Sequence, residues 1–169
     1  MTKYAKAPAS IQTINEGKEY LARHRDSGAQ CPCCSQLVRV YKRKLHAEMC
    51  GYLYGLYTLC AKIDRHYTTQ EIIQASGHLN RMGVTSNGTL LQHWGLIEKI
   101  DISNNAGAPA GSYRITPTGV MFMEDKLKVP CCVLLLNGIA YGHIDDNLVG
   151  VRECMKDSFN YDELMKGED

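Results

Sequence analysis

Residues 86–100 read SNGTLLQHWGLIEKI and predict the point at which a helix turns into a β-strand. Apolar side chains recur at helical spacing in its first part and are expected to face the core: Leu90, Leu91 and Trp94. Gly95 follows as a typical helix stop, because glycine adopts the left-handed backbone conformation without strain. The next residues, LIEKIDI, favour a strand. We therefore predict a helix over residues 86–94 that leads directly into one strand of a ribbon.

The following residues predict the other half of the ribbon. SNNAGAPAG, residues 103–111, has the composition of a long loop, and SYRIT, residues 112–116, favours a second strand. TPTG then opens a short helix that runs to Glu124, with Pro117 in the first turn, where its missing N–H costs no hydrogen bond. The loop therefore occupies the position of a wing between two strands.

Two further helices are predicted before this stretch. A T-x-x-E capping box starting at Thr68 opens one of them. The other is long, from about residue 44 to residue 65, with apolar residues at spacings of three and four. Gly51 and Gly55 lie within it, and because glycine lowers helix stability we expect another backbone to approach closely there.

The order of these elements (helix, helix, helix, strand, loop, strand) is that of a winged helix-turn-helix. We assign this core to residues 44–128. The predicted fold class is α+β, with an N-terminal helix and cysteine knuckle before the core and a C-terminal β-hairpin and helix extension after it.

The two flanking segments carry local signals of their own. Residues 1–43 hold a helix that starts with a capping box at Thr13, followed by the CPCC stretch. Residues 129–169 contain Asn137-Gly138 between two apolar runs, which predicts a tight hairpin turn. A short helix over about 148–156 and the segment FNYDELM end the chain.

Charge is unevenly distributed, although the formal net charge is only +1. Residues 1–66 hold 11 Lys and Arg against 5 Asp and Glu, residues 67–128 hold 5 against 5, and residues 129–169 hold 3 against 8. The net charges of the three segments are therefore +6, 0 and −5. This asymmetry favours an anionic partner at one end or head-to-tail contact between copies in a homodimer, and scattered solvated charge is the alternative.

Four side chains have the spacing of a zinc site. They form the pattern C-x2-C-x11-H-x3-C: Cys31, Cys34, His46 and Cys50. The first pair would lie on a tight turn and the second pair on one helix face, and sulfur and nitrogen donors suit tetrahedral structural zinc. Competing donors are Cys33, His24, Cys60, Cys131 and Cys132. The alternative is that Cys50 and Cys60 are small buried side chains.

Cationic and polar side chains predict contacts with double-stranded DNA. The densest basic cluster suits phosphates: Arg39, Lys42, Arg43 and Lys44. The helix over residues 86–94 would read the major groove with its outward side chains Asn87, Thr89, Gln92 and His93. Arg81 precedes this helix and is a further predicted DNA contact. Lys99 and Arg114 flank the wing. Because the helix has no cation of its own, a protein partner or modest DNA affinity is also favoured, and a solvated helix start is the alternative for the basic cluster.

No sequence motif predicts catalysis. The chain has neither a phosphate-binding glycine loop of the P-loop kind nor a G-x-S-x-G nucleophile motif, so we predict that it is not an enzyme. Asp145-Asp146 is more typical of a helix start than of a catalytic carboxylate pair. The eight cysteines, an N-terminus without an apolar signal region and the lack of a membrane-length apolar run favour a reducing cytoplasm and no membrane.

Several stretches together resemble a family of small, uncharacterised phage and prophage proteins: CPCC followed by VYKRKL, HWGLIEK, GSYRITPTG, KVPCCVLLLNG and SFNYDELM. The resemblance covers most of the chain from about Cys31 onward. It implies a winged-helix core with an N-terminal CxxC knuckle, in the cytoplasm of the host cell. It implies no established reaction, and a phage setting implies transcriptional control, binding to host machinery or blocking of a host defence system.

Two functions are therefore predicted. The first is a DNA-binding transcription regulator, which the order of helices and strands and the basic N-terminal third favour. The second is a protein-binding inhibitor or modulator of a host enzyme or defence complex, which the cation-poor reading helix and the acidic C-terminal end favour.

Overall fold

The computed structural model describes residues 4–77, 79, 84–100, 111–156 and 160–166, and of Asp145 the backbone alone. The fold is mixed α+β, and its paired strands include antiparallel sheets. The chain forms two compact units, a first unit of residues 1–43 and 132–144 and a second unit of residues 44–131 and 145–169. The C-terminal segment that was predicted as one extension, 129–169, thus contributes to both units. Among the described residues, no helix is long and apolar enough to cross a membrane.

The first unit starts with the predicted N-terminal helix. Helix α1 (Ile14–His24) has the full capping box, in which the Thr13 hydroxyl accepts the Glu16 N–H and the Glu16 carboxylate accepts the Thr13 N–H. Strands β1 (Ala29–Gln30) and β2 (Leu37–Val38) then pair antiparallel, so the CPCC stretch forms the turn between them.

A second sheet has the order β3-β7-β8, with β3 (Tyr41–Lys44) at one edge, β7 (Val129–Leu136) in the middle and β8 (Ile139–Val149) at the other edge. A boundary between the two units falls within each of these strands, after residue 43 in β3, after residue 131 in β7 and after residue 144 in β8. Asn137 and Gly138 have φ angles of 52° and 77°, which confirms the predicted tight turn.

This sheet corrects two predictions. The basic stretch YKRK forms strand β3 and not a helix start, because the helix begins only at Ala47. Asp145-Asp146 lies within β8 and does not start a helix. The helix predicted over about 148–156 is limited to Val151–Met155, because β8 continues to Val149.

The second unit holds the remaining elements. They are α2 (Ala47–Lys62), β4 (Tyr67–Thr68), α3 (Thr69–Ala75), a 3₁₀ helix (Ser86–Trp94), β5 (Ile97–Lys99), β6 (Ser112–Ile115), α4 (Pro117–Met123), α5 (Val151–Met155) and α6 (Tyr161–Lys166). Strands β4, β6 and β5 form an antiparallel sheet in that order, with Ile97 opposite Ile115. The predicted helix over residues 86–94 is confirmed in its bounds, with Gly95 at a φ angle of 68°, but its hydrogen bonding is of the 3₁₀ type. Most of the predicted wing, residues 101–110, lies outside the described residues.

Helix α2 is the central element of the second unit and packs on α3, the 3₁₀ helix, α4 and α5. A Cβ at Gly55 would collide with the Ile72 carbonyl oxygen of α3, which confirms the predicted close backbone approach at this position. At Gly51 the close neighbour is the Val84 side chain and not a backbone. Trp94 is buried as predicted, and its indole N–H donates to the Pro130 carbonyl at 2.7 Å; Leu56 of α2 is buried as well. Leu90, which was predicted at the centre of the core, is only half-buried. Its neighbour Leu91 is fully buried, as predicted.

Candidate functional site

Strand β3 is the most cationic described strand, and all four of its side chains are exposed. Because β3 lies at a sheet edge, one of its backbone sides also lacks a paired strand within this sheet. Lys42, Arg43 and Lys44 therefore occupy consecutive exposed positions of one edge strand, where successive side chains point to alternate faces. Cations at a helix start would be repelled by the positive end of the helix dipole. On a strand the cluster has no such unfavourable interaction.

Tyr41 lies between two arginine side chains. The guanidinium carbon of Arg39 is 4.6 Å from the centre of the Tyr41 ring, and that of Arg43 is 5.8 Å away. The ring is still 36% exposed. Such cation–π contacts hold the guanidinium groups in place without neutralising their charge. The sequence signal was the tyrosine directly beside the basic cluster, but its role in ordering the arginines was not predicted.

Arg39 differs from the other three predicted phosphate ligands. It is half-buried, one terminal N–H of its guanidinium donates to the Tyr4 hydroxyl at 2.8 Å, and its Nε is buried without a hydrogen-bond partner among the described residues. Arg39 is thus better suited to positioning Tyr41 than to contacting a phosphate directly.

The first unit as a whole is basic. It contains eight Lys and Arg against three Asp and Glu, a net charge of +5, whereas the second unit contains eleven against fifteen, a net charge of −4. A second exposed tyrosine of the first unit, Tyr141, has the guanidinium carbon of Arg25 at 4.6 Å from its ring centre. The positive potential of this unit is therefore accompanied by exposed aromatic rings.

The 3₁₀ helix presents polar side chains as predicted. Asn87 and Gln92 are exposed, while Thr89 and His93 are half-buried and the Thr89 hydroxyl donates to the Ser86 carbonyl at 2.8 Å. Gly88 faces α2, where a Cβ would collide with the Tyr52 ring, so the opposite side of the helix is held closely against α2. Arg81 lies outside the described residues.

The two cations of the predicted wing strands have different surroundings. Lys99 on β5 is exposed. Arg114 on β6 forms an ion pair with Glu98 at 2.7 Å and lies 3.6 Å from a carboxylate oxygen of Asp64. The hydrogen bond to Glu98 raises the pKa of Arg114 further above its usual value, and the two carboxylates offset its charge. Arg114 is therefore a poor phosphate ligand in this arrangement.

The CPCC stretch forms the predicted tight knuckle. The Cys31 N–H donates to the Gln36 carbonyl and the Ser35 N–H to the Cys31 carbonyl, both at 2.8 Å, while Ser35 has a φ angle of 59°. The backbone N–H groups of Cys34 and Cys33 hydrogen-bond to the Cys31 sulfur and lower the pKa of its thiol. N–H groups directed at a thiolate favour the deprotonated form that binds metals.

The rest of the predicted zinc ligand set has no such support. Among the described residues, no group of three or more His, Cys, Asp and Glu side chains is arranged to hold a metal ion. Cys50 is fully buried, and its thiol hydrogen-bonds to that of Cys154. His46 is exposed at the N-cap of α2 and makes no capping hydrogen bond. No local pattern in the sequence pointed to Cys154, because its partner lies on a distant segment of the chain.

Cys154 borders a cavity of about 400 Å³ in the second unit. Lys44, His46 and Lys156 also line this cavity. The hydrogen bond from Cys50 lowers the pKa of the Cys154 thiol; burial and the Glu153 carboxylate oppose this effect, and the ammonium groups of Lys44 and Lys156 add to it. The same hydrogen bond, together with burial, raises the pKa of Cys50 well above its usual value. The two thiols therefore differ in acidity and in access to solvent.

Comparison with protein-family models, with curated proteins and with solved structures finds no match. The functional proposals below therefore depend on the geometry and charge of this chain.

Proposed function

We propose that the chain is a winged-helix DNA-binding protein that acts as a transcription regulator. The winged-helix assignment is supported by the order α2, β4, α3, 3₁₀ helix, β5 and β6, and by the strand order β4-β6-β5. In this fold the helix before the two-stranded ribbon reads the major groove. The exposed side chains Asn87 and Gln92 suit that role because their amides pair with adenine through two hydrogen bonds.

The observation that carries the proposal is the exposed cationic strand β3. Lys42, Arg43 and Lys44 are all exposed, and Arg43 is held against the Tyr41 ring. Each cation that contacts a phosphate releases a condensed counterion from DNA. Three such contacts correspond to a slope of about −3 in a plot of log binding constant against log salt concentration.

The test is DNA binding measured as a function of salt concentration. We compare the wild type with the double charge reversal Lys42→Glu/Arg43→Glu. Loss of two phosphate contacts should make the slope less negative by about two and weaken binding at low salt by on the order of tenfold or more.

A matched control variant has the same net charge as Lys42→Glu/Arg43→Glu. Lys18→Glu/Lys62→Glu also reverses two exposed cations, but neither lies on β3. We expect this control to keep the wild-type slope. If both double variants lose the same affinity, or if the wild type does not bind duplex DNA even at low salt, the role of β3 is wrong.

Structural zinc at the cysteine knuckle forms part of the proposal. It is supported by the tight turn of residues 31–36 and by the backbone N–H groups directed at the Cys31 sulfur. Elemental analysis of the purified protein should give bound zinc that is lost in Cys31→Ser/Cys34→Ser. His46→Ala tests whether His46, from the second half of the predicted ligand set, is a ligand. Zinc retained in that variant would mean that the site does not require His46.

A second candidate function is binding to a host protein. It is favoured by the net charge of −4 of the second unit and by the neutralised Arg114, which leave the predicted reading surface poor in available cations. An acidic surface of this kind resembles nucleic acid electrostatically. Co-purification of a stoichiometric host protein, together with absent DNA binding, would favour this function over the first.

A further inference from the structure

We propose that Cys154 and Cys50 form an oxidant-reactive thiol pair, in which a hydroperoxide oxidises Cys154 and Cys50 then closes a disulfide with it. The cavity beside Cys154 adjoins the proposed DNA-binding strand, because Lys44 of β3 also lines it, but the thiol chemistry requires neither DNA nor a metal.

The packing of two helices brings these thiols together. Cys50 lies on α2 and Cys154 on α5, and the two helices pack against each other in the second unit. The Cys50 S–H donates a hydrogen bond to the Cys154 sulfur. A disulfide between them requires the two sulfur atoms to close to about 2.05 Å.

The two cysteines differ in access. Cys50 is 0% exposed, whereas Cys154 is half-buried and lines the cavity of about 400 Å³. A small oxidant in this cavity therefore meets Cys154 first. Cys50 lies behind it, in the position required of a resolving thiol.

Two lysines beside the cavity favour a thiolate at Cys154, against the opposing effects of burial and of the Glu153 charge. Lys44 and Lys156 both line the cavity, and their positive charge stabilises a negative sulfur. Glu153 opposes this effect, but its carboxylate forms an ion pair with Lys128 at 2.8 Å and accepts the Gly150 N–H at 2.8 Å. The two lysines thus act alongside the hydrogen bond from Cys50, which is the largest cause of the lowered Cys154 pKa.

The proposed chemistry has two balanced steps. The Cys154 thiolate attacks one oxygen of hydrogen peroxide, so that an S–O bond forms, the O–O bond breaks and hydroxide leaves to become water on taking up a proton. The Cys50 sulfur then attacks the Cys154 sulfenic acid, so that the S–S bond forms, the S–O bond breaks and the hydroxyl leaves with the Cys50 proton as a second water. The two thiols are oxidised by two electrons in total and the peroxide is reduced by two.

The experiment treats the reduced full-length protein with hydrogen peroxide and follows each cysteine by mass spectrometry after digestion without reductant. We expect a disulfide-linked pair of peptides containing Cys50 and Cys154, which a reductant separates. Cys60 is the internal control, because it is also half-buried in the second unit but burial raises the pKa of its thiol. Cys154 should react on the order of tenfold faster than Cys60.

Two variants separate the steps. In Cys50→Ser the oxidation should stop at a sulfenic acid on Cys154, which a sulfenic-acid-specific reagent such as dimedone traps. In Cys154→Ser the buried Cys50 should stay reduced under the same treatment. The wild-type measurement does not depend on either variant folding. The proposal is overturned if wild-type Cys154 reacts no faster than Cys60, or if Cys154 is oxidised without ever forming a link to Cys50.

Discussion

At the scale of single residues, Glu71 combines a helix cap with an ion pair. One carboxylate oxygen accepts the N–H and the hydroxyl of Thr68, both at 2.8 Å, and the other lies 2.7 Å from a terminal nitrogen of Arg65. The hydrogen bond from Arg65, followed by those from Thr68, lowers the pKa of Glu71 to about 2. The folded state thus binds a proton at Glu71 far more weakly than the unfolded chain does.

We expect Glu71→Gln to lower the free energy of unfolding at neutral pH by about 0.5–1 kcal/mol, because the amide keeps the capping bond but loses the exposed ion pair. A carboxyl group with a lowered folded-state pKa stabilises the protein above its unfolded pKa of about 4.3, and this contribution is lost as the pH falls towards 2. The difference between wild type and variant should therefore shrink over that range. Urea unfolding at a series of pH values measures it.

The equivalent capping position of α1 supplies the control. Glu16 accepts the backbone N–H groups of Gln12 and Thr13, and these bonds lower its pKa, but its described hydrogen bonds include none from an arginine. Glu16→Gln should therefore cost less than Glu71→Gln at neutral pH. Equal losses in the two variants would contradict a contribution from Arg65.

Residue roles set by near neighbours could be predicted from the sequence, and those set by distant partners could not. Both capping boxes and the left-handed Gly95 are confirmed, because each depends on residues within four positions. Arg39 was assigned to phosphate binding, but its hydrogen bond to Tyr4 connects segments far apart in sequence. The pairing of Cys50 with Cys154 likewise depends on how α5 packs on α2, which no local spacing encodes.

At the scale of elements, the stretch YKRK illustrates why a short polar segment is ambiguous. Lysine and arginine are tolerated at a helix start, so the apolar periodicity of α2 was extended back to about residue 44. The actual strand β3 is fixed by pairing with β7, a strand near the other end of the chain. The helix itself was predicted correctly over most of Ala47–Lys62, because its apolar repeat is local.

The 3₁₀ helix was predicted in extent but not in type. The glycine stop marks the end of either helix type, but a 3₁₀ helix repeats every three residues, so its buried positions are Gly88, Leu91 and Trp94 and do not include Leu90. Gly88 packs closely against the Tyr52 ring of α2, and this contact could not be predicted from residues 86–94 alone. This contact matters for the proposed function because the same short helix presents Asn87 and Gln92 on its outer side.

At the scale of the whole molecule, the charge asymmetry was predicted but its division was not. The basic first third and the acidic last quarter of the sequence were evident by counting. In the folded chain residues 132–144 join the first unit and residues 145–169 join the second. Because 132–144 contains no Lys, Arg, Asp or Glu, all the acidic residues of the C-terminal segment belong to the second unit. The two units therefore have opposite net charges of +5 and −4.

Opposite charges on two units predict salt-sensitive association between copies, through contact of a basic unit with an acidic one. We expect sedimentation velocity to detect self-association at about 0.01 M salt that is lost at about 0.15 M, because the screening length falls from about 30 Å to about 8 Å. Lys42→Glu/Arg43→Glu reduces the first unit to +1 and should abolish this association, whereas Lys18→Glu/Lys62→Glu leaves the units at +3 and −6 and should retain it. Association that strengthens with salt, or that survives the β3 reversal, would instead indicate an apolar contact between copies.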